Sequence, residues 1–204
     1  MPEITSTYAV LARWAVIGYL IGAVSGGMIL ARAMNLGNLR EIGSGNIGAT
    51  NVLRTGNKKA AALTLLFDSA KGAIVVLAAR QLAAEDAAQL GALMAFLGHC
   101  FPLWLGFKGG KGVATYFGII LTINWQIGLI ACAIWLVVAG ISRYSSMAAL
   151  VTAGWLPLII GFITTGEMFV ISAVLCFLIY ARHWGNIMRL RKGTETQIGA
   201  KADT

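Results

Sequence analysis

YAVLARWAVIGYLIGAVSGGMILA, residues 8–31, is apolar almost from end to end. A helix needs roughly 20 such residues to cross the hydrocarbon core of a bilayer, so this run is long enough. No basic segment precedes it and no small-residue cleavage site follows, which reads as a retained helix rather than a signal peptide. Six more apolar runs follow, at 60–82, 87–105, 113–123, 127–141, 147–163 and 168–181. The runs at 113–123 and 127–141 are individually short. They are compatible with one long tilted span or with two short ones broken at Thr122-Ile123-Asn124-Trp125.

Composition agrees with the pattern. The 204 residues are 58% hydrophobic and 12% charged, with a mean hydropathy of +0.76. A soluble domain is about half apolar and a quarter charged. Here the apolar excess lies in continuous runs, the mark of membrane helices. The expectation is an all-α, polytopic integral membrane bundle of about seven transmembrane helices, forming one domain over 1–204, because no soluble domain fits between the runs.

The formal charge is +8. A basic balance alone admits a nucleic-acid partner, but these residues sit in short loops beside apolar runs. A topology signal and anionic ligands account for them better. With the N-terminus outside and seven crossings, Arg32, Arg40, Arg54, Lys58, Lys59, Lys108, Lys111, Arg143, Arg182, Arg189, Arg191 and Lys192 all fall on the cytoplasmic side. Glu3, Glu85, Asp86 and Glu167 fall opposite. Fusing only the short pair throws the basic tail outside, against the positive-inside rule. Fusing 147–181 as well restores the tail but buries the turn Thr164-Thr165-Gly166-Glu167. Seven spans satisfy both demands. Cys100, Cys132 and Cys176 are isolated in apolar sequence and imply neither disulfides nor a metal site.

Three loops carry chemistry. The first runs Arg40-Glu41-Ile42-Gly43-Ser44-Gly45-Asn46-Ile47-Gly48-Ala49-Thr50-Asn51-Val52-Leu53-Arg54. Glycines allow backbone N–H groups to turn inward on an anion, hydroxyls add donors, and arginine offers a planar fork for phosphate oxygens. An ordinary Gly/Asn turn is the plain alternative, though a mere connection needs only a few residues.

The second loop holds Gly106-Phe107-Lys108-Gly109-Gly110-Lys111-Gly112 directly before a helix, four glycines in seven residues around two lysines. A helix N-terminus favours anions and glycine permits close approach. It is not a Walker A loop: the glycine spacing differs, Gly112 stands where Ser or Thr would follow the lysine, and no strand precedes it. A positive-inside anchor explains the lysines but not the glycines.

The tail, Arg182-His183-Trp184-Gly185-Asn186-Ile187-Met188-Arg189-Leu190-Arg191-Lys192-Gly193-Thr194-Glu195, places His183, Asn186 and Arg189 on one face if the helix continues. A membrane-surface helix with snorkelling basic residues competes, especially for Arg191 and Lys192. Asp68 and Lys71 lie mid-span and three apart, hence on one helix face. They either neutralise each other or reach toward the first or second loop. The turn Ser142-Arg143-Tyr144-Ser145-Ser146 offers hydroxyls at the same membrane face.

These three loops resemble the signature motifs of the bacterial acyl-phosphate:glycerol-3-phosphate acyltransferases (the PlsY family), and Asp68 with Lys71-Gly72 fits its pattern. The resemblance spans nearly the whole chain. It implies an inner-membrane enzyme making lysophosphatidic acid and inorganic phosphate in phospholipid synthesis, with no cofactor and no metal. Its partners would be acyl-phosphate, glycerol 3-phosphate and membrane lipid, with no nucleic acid. Ser44, Lys111, His183 and Asn186 would be catalytic. Gly45, Asn46, Thr50, Asn51, Arg54, Lys108, Gly109, Gly110, Gly112 and Ser142 would bind substrate, Ser142 being the best-aligned serine of its turn.

The chemistry is consistent with that implication. Acyl-phosphate is a mixed anhydride, so the protein must chiefly align two anions and stabilise developing charge. His99 and His183 are the only histidines, so general bases are scarce, and the family implies that substrate phosphate takes the hydroxyl proton. A His-x4-Asp dyad is absent, since Trp104 and Met188 occupy the fifth positions after the histidines. Ser44-Gly45-Asn46 lacks the histidine of a membrane phosphatase. A transporter for a phosphorylated metabolite remains the other class, although its site belongs near the midplane.

Overall fold

The computed structural model describes residues 2–163, 166 and 168–200. Thr164, Thr165 and Glu167, used in the topology argument above, lie outside the described residues. Among those residues the chain is helical with no strand.

The first apolar run is not one unbroken helix. α1 (Tyr8–Ala23) ends at Val24, and α2 (Gly26–Ala33) restarts where the Ser25 hydroxyl accepts from Met28 N. The first motif loop contains the short α3 (Ala49–Leu53) and leads into α4 (Lys58–Leu82), capped by Asn57. α5 (Glu85–Cys100) runs into a single 3-10 turn at Leu103–Leu105 and the second motif loop.

α6 (Val113–Ile123) and α7 (Trp125–Ser142) are two helices, split at Asn124, whose side chain caps α7. With 11 residues, α6 is about 16 Å long, half the ~30 Å hydrocarbon core. α8 (Ser145–Ile163), α9 (Phe169–Arg182) and α10 (Trp184–Arg191) complete the chain. Five elements are long and apolar enough to span alone: Tyr8–Ala33, Lys58–Leu82, Glu85–Leu105, Trp125–Ser142 and Ser145–Ile163. α9 and α10 pass only as a pair bent by 60° at His183. The tail helix therefore does not continue straight. Each of the seven apolar runs forms a helix or a broken helix, so the bundle matches the expected architecture.

Small residues set the closest packing. A Cβ on Gly18 would lie 2.3 Å from Gly91 O, on Gly22 2.0 Å from Ala95 O, and on Gly98 2.2 Å from Tyr19 O. The α1 and α5 backbones are thus in direct contact, the usual solution where lipid provides no hydrophobic drive between helices. α4 and α6 meet similarly, with the Thr115 hydroxyl donating to Asp68 O and Gly118 against Ser69 O. Large residues such as Leu66, Ile141 and Phe162 stay exposed and face where lipid would be.

The chain ends sort onto two sides. On one, Asp86 accepts from Thr5 N, Ser6 N and the Ser6 hydroxyl, while Arg80 pairs with Glu85 and donates to Thr122 O. On the other, contacts knit the motif loops together: Arg40 to Lys108 O, Arg182 to Gly109 O and Gly110 O, and Thr50 to Ser145.

Candidate active site

The second motif loop folds back on the end of α5. Gly109 N donates to Cys100 O and Gly110 N to His99 O. Those two N–H groups are therefore committed to protein. Gly110 must be glycine because a Cβ would lie 2.1 Å from His99 Nε2, and Gly112 combines φ +80° with a contact on Phe96. Arg182, stacked over the Phe101 ring, clamps the loop from the tail side. What this loop leaves available to an anion is Lys111 together with the N-terminus of α6, which has no side-chain cap. Lys108 is exposed and contributes its carbonyl to Arg40.

In the first loop Asn51 is the organiser. Its Oδ1 accepts from Ser44 N, the Ser44 hydroxyl and Arg54 Nη1, and its Nδ2 donates to Leu39 O. Both amide ends are thus used inside the protein, and Asn51 acts by placing Ser44 and Arg54. Gly45 turns the loop with φ +67°. Thr50 meets Ser145 at 3.2 Å, not Ser142. The Ser142 hydroxyl donates to Val138 O within α7 and accepts from Tyr144 N, and Ser142 is not among the residues that line the cavity described below.

In the tail, Glu195 gathers three groups. Asn186 Nδ2 donates to its Oε1 at 2.5 Å, the Ser146 hydroxyl to Oε1 at 2.8 Å and Arg189 Nε to Oε2 at 2.7 Å. Reading the sequence assigned Glu195 no role, and it preferred Ser142 in a turn that also holds Ser145 and Ser146. A usable signal existed for the acid: Glu195 is the single acid between 182 and 200, among four Arg and Lys residues. His183 is buried at the α9–α10 bend, its Nδ1 2.8 Å from Ile179 O. A carbonyl only accepts, so Nδ1 carries the proton and neutral His183 presents Nε2 as an acceptor.

Burial lowers Lys111 and Arg54, and neighbouring cations add to the fall. Burial brings Lys111 down to about 8, with Glu195 opposing and Arg189, Arg54 and Arg182 adding to the fall. Burial likewise lowers Arg54. Burial would raise Glu195, but hydrogen bonds from Asn186, Ser146 and Arg189 hold it below the ordinary carboxylate range.

A cavity of about 600 Å³ connects these parts. One arm is polar, lined by Asn46, Thr50, Lys58, Lys111, Ser145 and His183, with the buried Asp68 and His99. The other, between α4, α6 and α7, is lined by Leu65, Phe117, Leu121, Cys132, Trp135 and Leu136. Leu65 and Leu136 are more than half exposed, so this arm opens sideways through the bundle. Of the expected residues, Asn46, Thr50, Lys111, Gly112 and His183 line the cavity; Ser44, Asn51 and Arg54 are hydrogen-bonded to one another in the first loop, and Asn186 is bonded to Glu195.

A helical membrane bundle with a cationic pocket at one end and an apolar arm open to its flank defines an integral membrane protein whose cavity has the chemistry to suit an anionic, lipid-like ligand. The family model for "Glycerol-3-phosphate acyltransferase" matches residues 12–193. The chain belongs to the glycerol-3-phosphate acyltransferase family. Similar proteins of that name include one from Ruegeria pomeroyi, 54% identical over 99% of this chain and 100% of the relative. Another, from Jannaschia sp., is 54% identical over 98% of each. Among solved structures, the glycerol 3-phosphate form of PlsY, an integral membrane glycerol 3-phosphate acyltransferase, superposes with a TM-score of 0.86 at 33% identity, covering 93% of this chain and 96% of that one. Its lysophosphatidic acid form gives 0.82 at 31%, covering 92% and 94%.

Proposed function

We propose that this chain transfers a fatty acyl group from acyl-phosphate to a hydroxyl of glycerol 3-phosphate, releasing lysophosphatidic acid and inorganic phosphate. The observation that carries this reading is the single cavity joining a cationic polar arm to an apolar arm open at the flank of the bundle. An acyl chain enters the apolar arm from the bilayer without crossing water, and the two phosphates share the polar arm. The forms in which PlsY was crystallised, with glycerol 3-phosphate and with lysophosphatidic acid, support the acceptor and the product.

In the reaction the acceptor hydroxyl oxygen attacks the acyl carbon. A new ester C–O bond forms, the bond from that carbon to the phosphate oxygen breaks, and its electron pair leaves on phosphate. Lys111 and the α6 N-terminus stabilise the departing charge, with Arg54, Ser44 and Asn186 completing the field. Thr50 and Ser145 add hydroxyl donors on the cavity wall. The hydroxyl proton passes to His183 Nε2 or directly to a phosphate oxygen. A mixed anhydride has a good leaving group, so alignment rather than a cofactor supplies the acceleration, up to ~7–11 kcal/mol when ideal. The charge pattern supports the N-terminus outside, the motif-bearing end in the cytoplasm, and an inner-membrane location for one domain over 1–204. A transporter would gather its polar groups at the midplane, whereas these cations collect at one end.

The donor is tested by offering purified protein in lipid vesicles acyl-phosphate, acyl-coenzyme A or an acyl carrier protein thioester. Lysophosphatidic acid from acyl-phosphate alone is expected; equal yield from a thioester removes the donor assignment.

A further inference from the structure

Asp68, Lys71 and His99 are buried together between α4 and α5, and two of the three line the cavity. Lys71 Nζ lies 2.8 Å from Val24 O, 3.0 Å from Asp68 Oδ1 and 2.8 Å from His99 Nδ1. An ammonium has three protons and no acceptor, so all three are used, and His99 Nδ1 must be unprotonated. The proton of the neutral imidazole therefore sits on Nε2. Asp68 Oδ1 also accepts from Gly26 N. Asp68 Oδ2 and His99 Nε2 take part in none of the hydrogen bonds among the described residues.

The pair is placed beside the phosphate-binding loop. His99 Nε2 lies against Gly110, whose ideal Cβ position is 2.1 Å away. Lys111 is the next residue, about 3.8 Å along the chain. Asp68 Oδ2 and His99 Nε2–H are thus an acceptor and a donor, held rigid from behind by one lysine, at residues that line the same cavity as Lys111. Such a pair complements a hydroxyl, which donates one hydrogen bond and accepts another.

We propose that Asp68 Oδ2 and His99 Nε2–H form a hydroxyl-reading subsite that takes the non-reacting hydroxyl of glycerol 3-phosphate. The inference rests on the acyl-transfer reading for its ligand and deepens it: it assigns acceptor specificity to residues outside the cationic cluster. Lys71 is a positioning residue, since it fixes the acceptor and the tautomer without facing the ligand.

The test compares glycerol 3-phosphate with 3-hydroxypropyl phosphate, the same acceptor without its second hydroxyl, in wild type, Asp68→Asn and His99→Phe. Sites built to bond a hydroxyl reject the analogue lacking it, so wild type should favour glycerol 3-phosphate in kcat/KM by about 10- to 100-fold. Either variant should bring the ratio toward one, losing rate with glycerol 3-phosphate and little with the analogue. The ratio is independent of the folded fraction, so a destabilised variant still reports. A ratio unchanged in both variants means a purely structural cluster and overturns the proposal, as does a wild type without preference. Calorimetric binding of the two acceptors in the absence of donor separates the two readings. Preferential binding that the variants abolish keeps the subsite even if no acyl group is transferred; equal affinity in wild type removes it.

Discussion

The Asn186 side-chain amide donates to Glu195 Oε1 across 2.5 Å, and the same carboxylate holds Ser146 and Arg189. One acid thereby joins α8 to α10 and fixes the Asn186 amide beside Arg189. Glu195→Ala leaves those donors unsatisfied, at roughly 1.5–3 kcal/mol for hydrogen bonds to a charged group. The expected result is a lower thermal midpoint in lipid and at least about tenfold less turnover. An unchanged midpoint and rate would mean that the tie is dispensable.

Lys111 gives the site its pH dependence. Its ammonium, lowered by burial to about 8, is charged below that value and neutral above it. The protonated form binds phosphate, so affinity is nearly complete at pH 7 and declines as pH rises through 8. KM for glycerol 3-phosphate should therefore climb above pH 8 in wild type. In Lys111→Met the KM is already high, and that inflection disappears. An inflection that survives the substitution belongs to another group.

The turn after α7 distinguishes two serines. Ser145 lines the cavity and touches Thr50, whereas Ser142 bonds Val138 O. Ser145→Ala should lower kcat/KM by about tenfold, the effect of one hydrogen bond to a charged ligand. Ser142→Ala should leave it within about twofold, as expected away from the site. The reverse order would show that the turn is set differently during catalysis.

His183 faces the cavity with Nε2 as an acceptor, fixed by Ile179 O. If that nitrogen takes the hydroxyl proton, His183→Gln lowers kcat at saturating substrate by about 100-fold or more. Near-normal turnover with a raised KM assigns the proton to substrate phosphate and leaves His183 as a binding group.

The bundle was legible because runs such as 8–31 and 60–82 exceed the bilayer requirement on length alone. The break at Val24–Ser25 was not, because the groups that satisfy it, Lys71 on Val24 O and Asp68 on Gly26 N, are more than 40 residues away. Lys111 was readable from its glycine setting, yet the reason for those glycines was only half visible. Gly110 is small because His99 fills its space, a contact that spacing does not reveal. Choosing Ser142 over Ser145 failed to anticipate the turn's direction, which Arg143 sets with φ +61°. Asp68 and Lys71 were seen as a pair. Their third member, His99 on α5, needed the fold to bring it within 2.8 Å.

The most direct test of the central claim is phosphate release by purified protein in lipid vesicles, given long-chain acyl-phosphate with and without glycerol 3-phosphate. Acyl transfer predicts release only when both are present, matched one to one by lysophosphatidic acid. Equal release without the acceptor would mark a hydrolase, and no release from folded protein in either case would contradict the account.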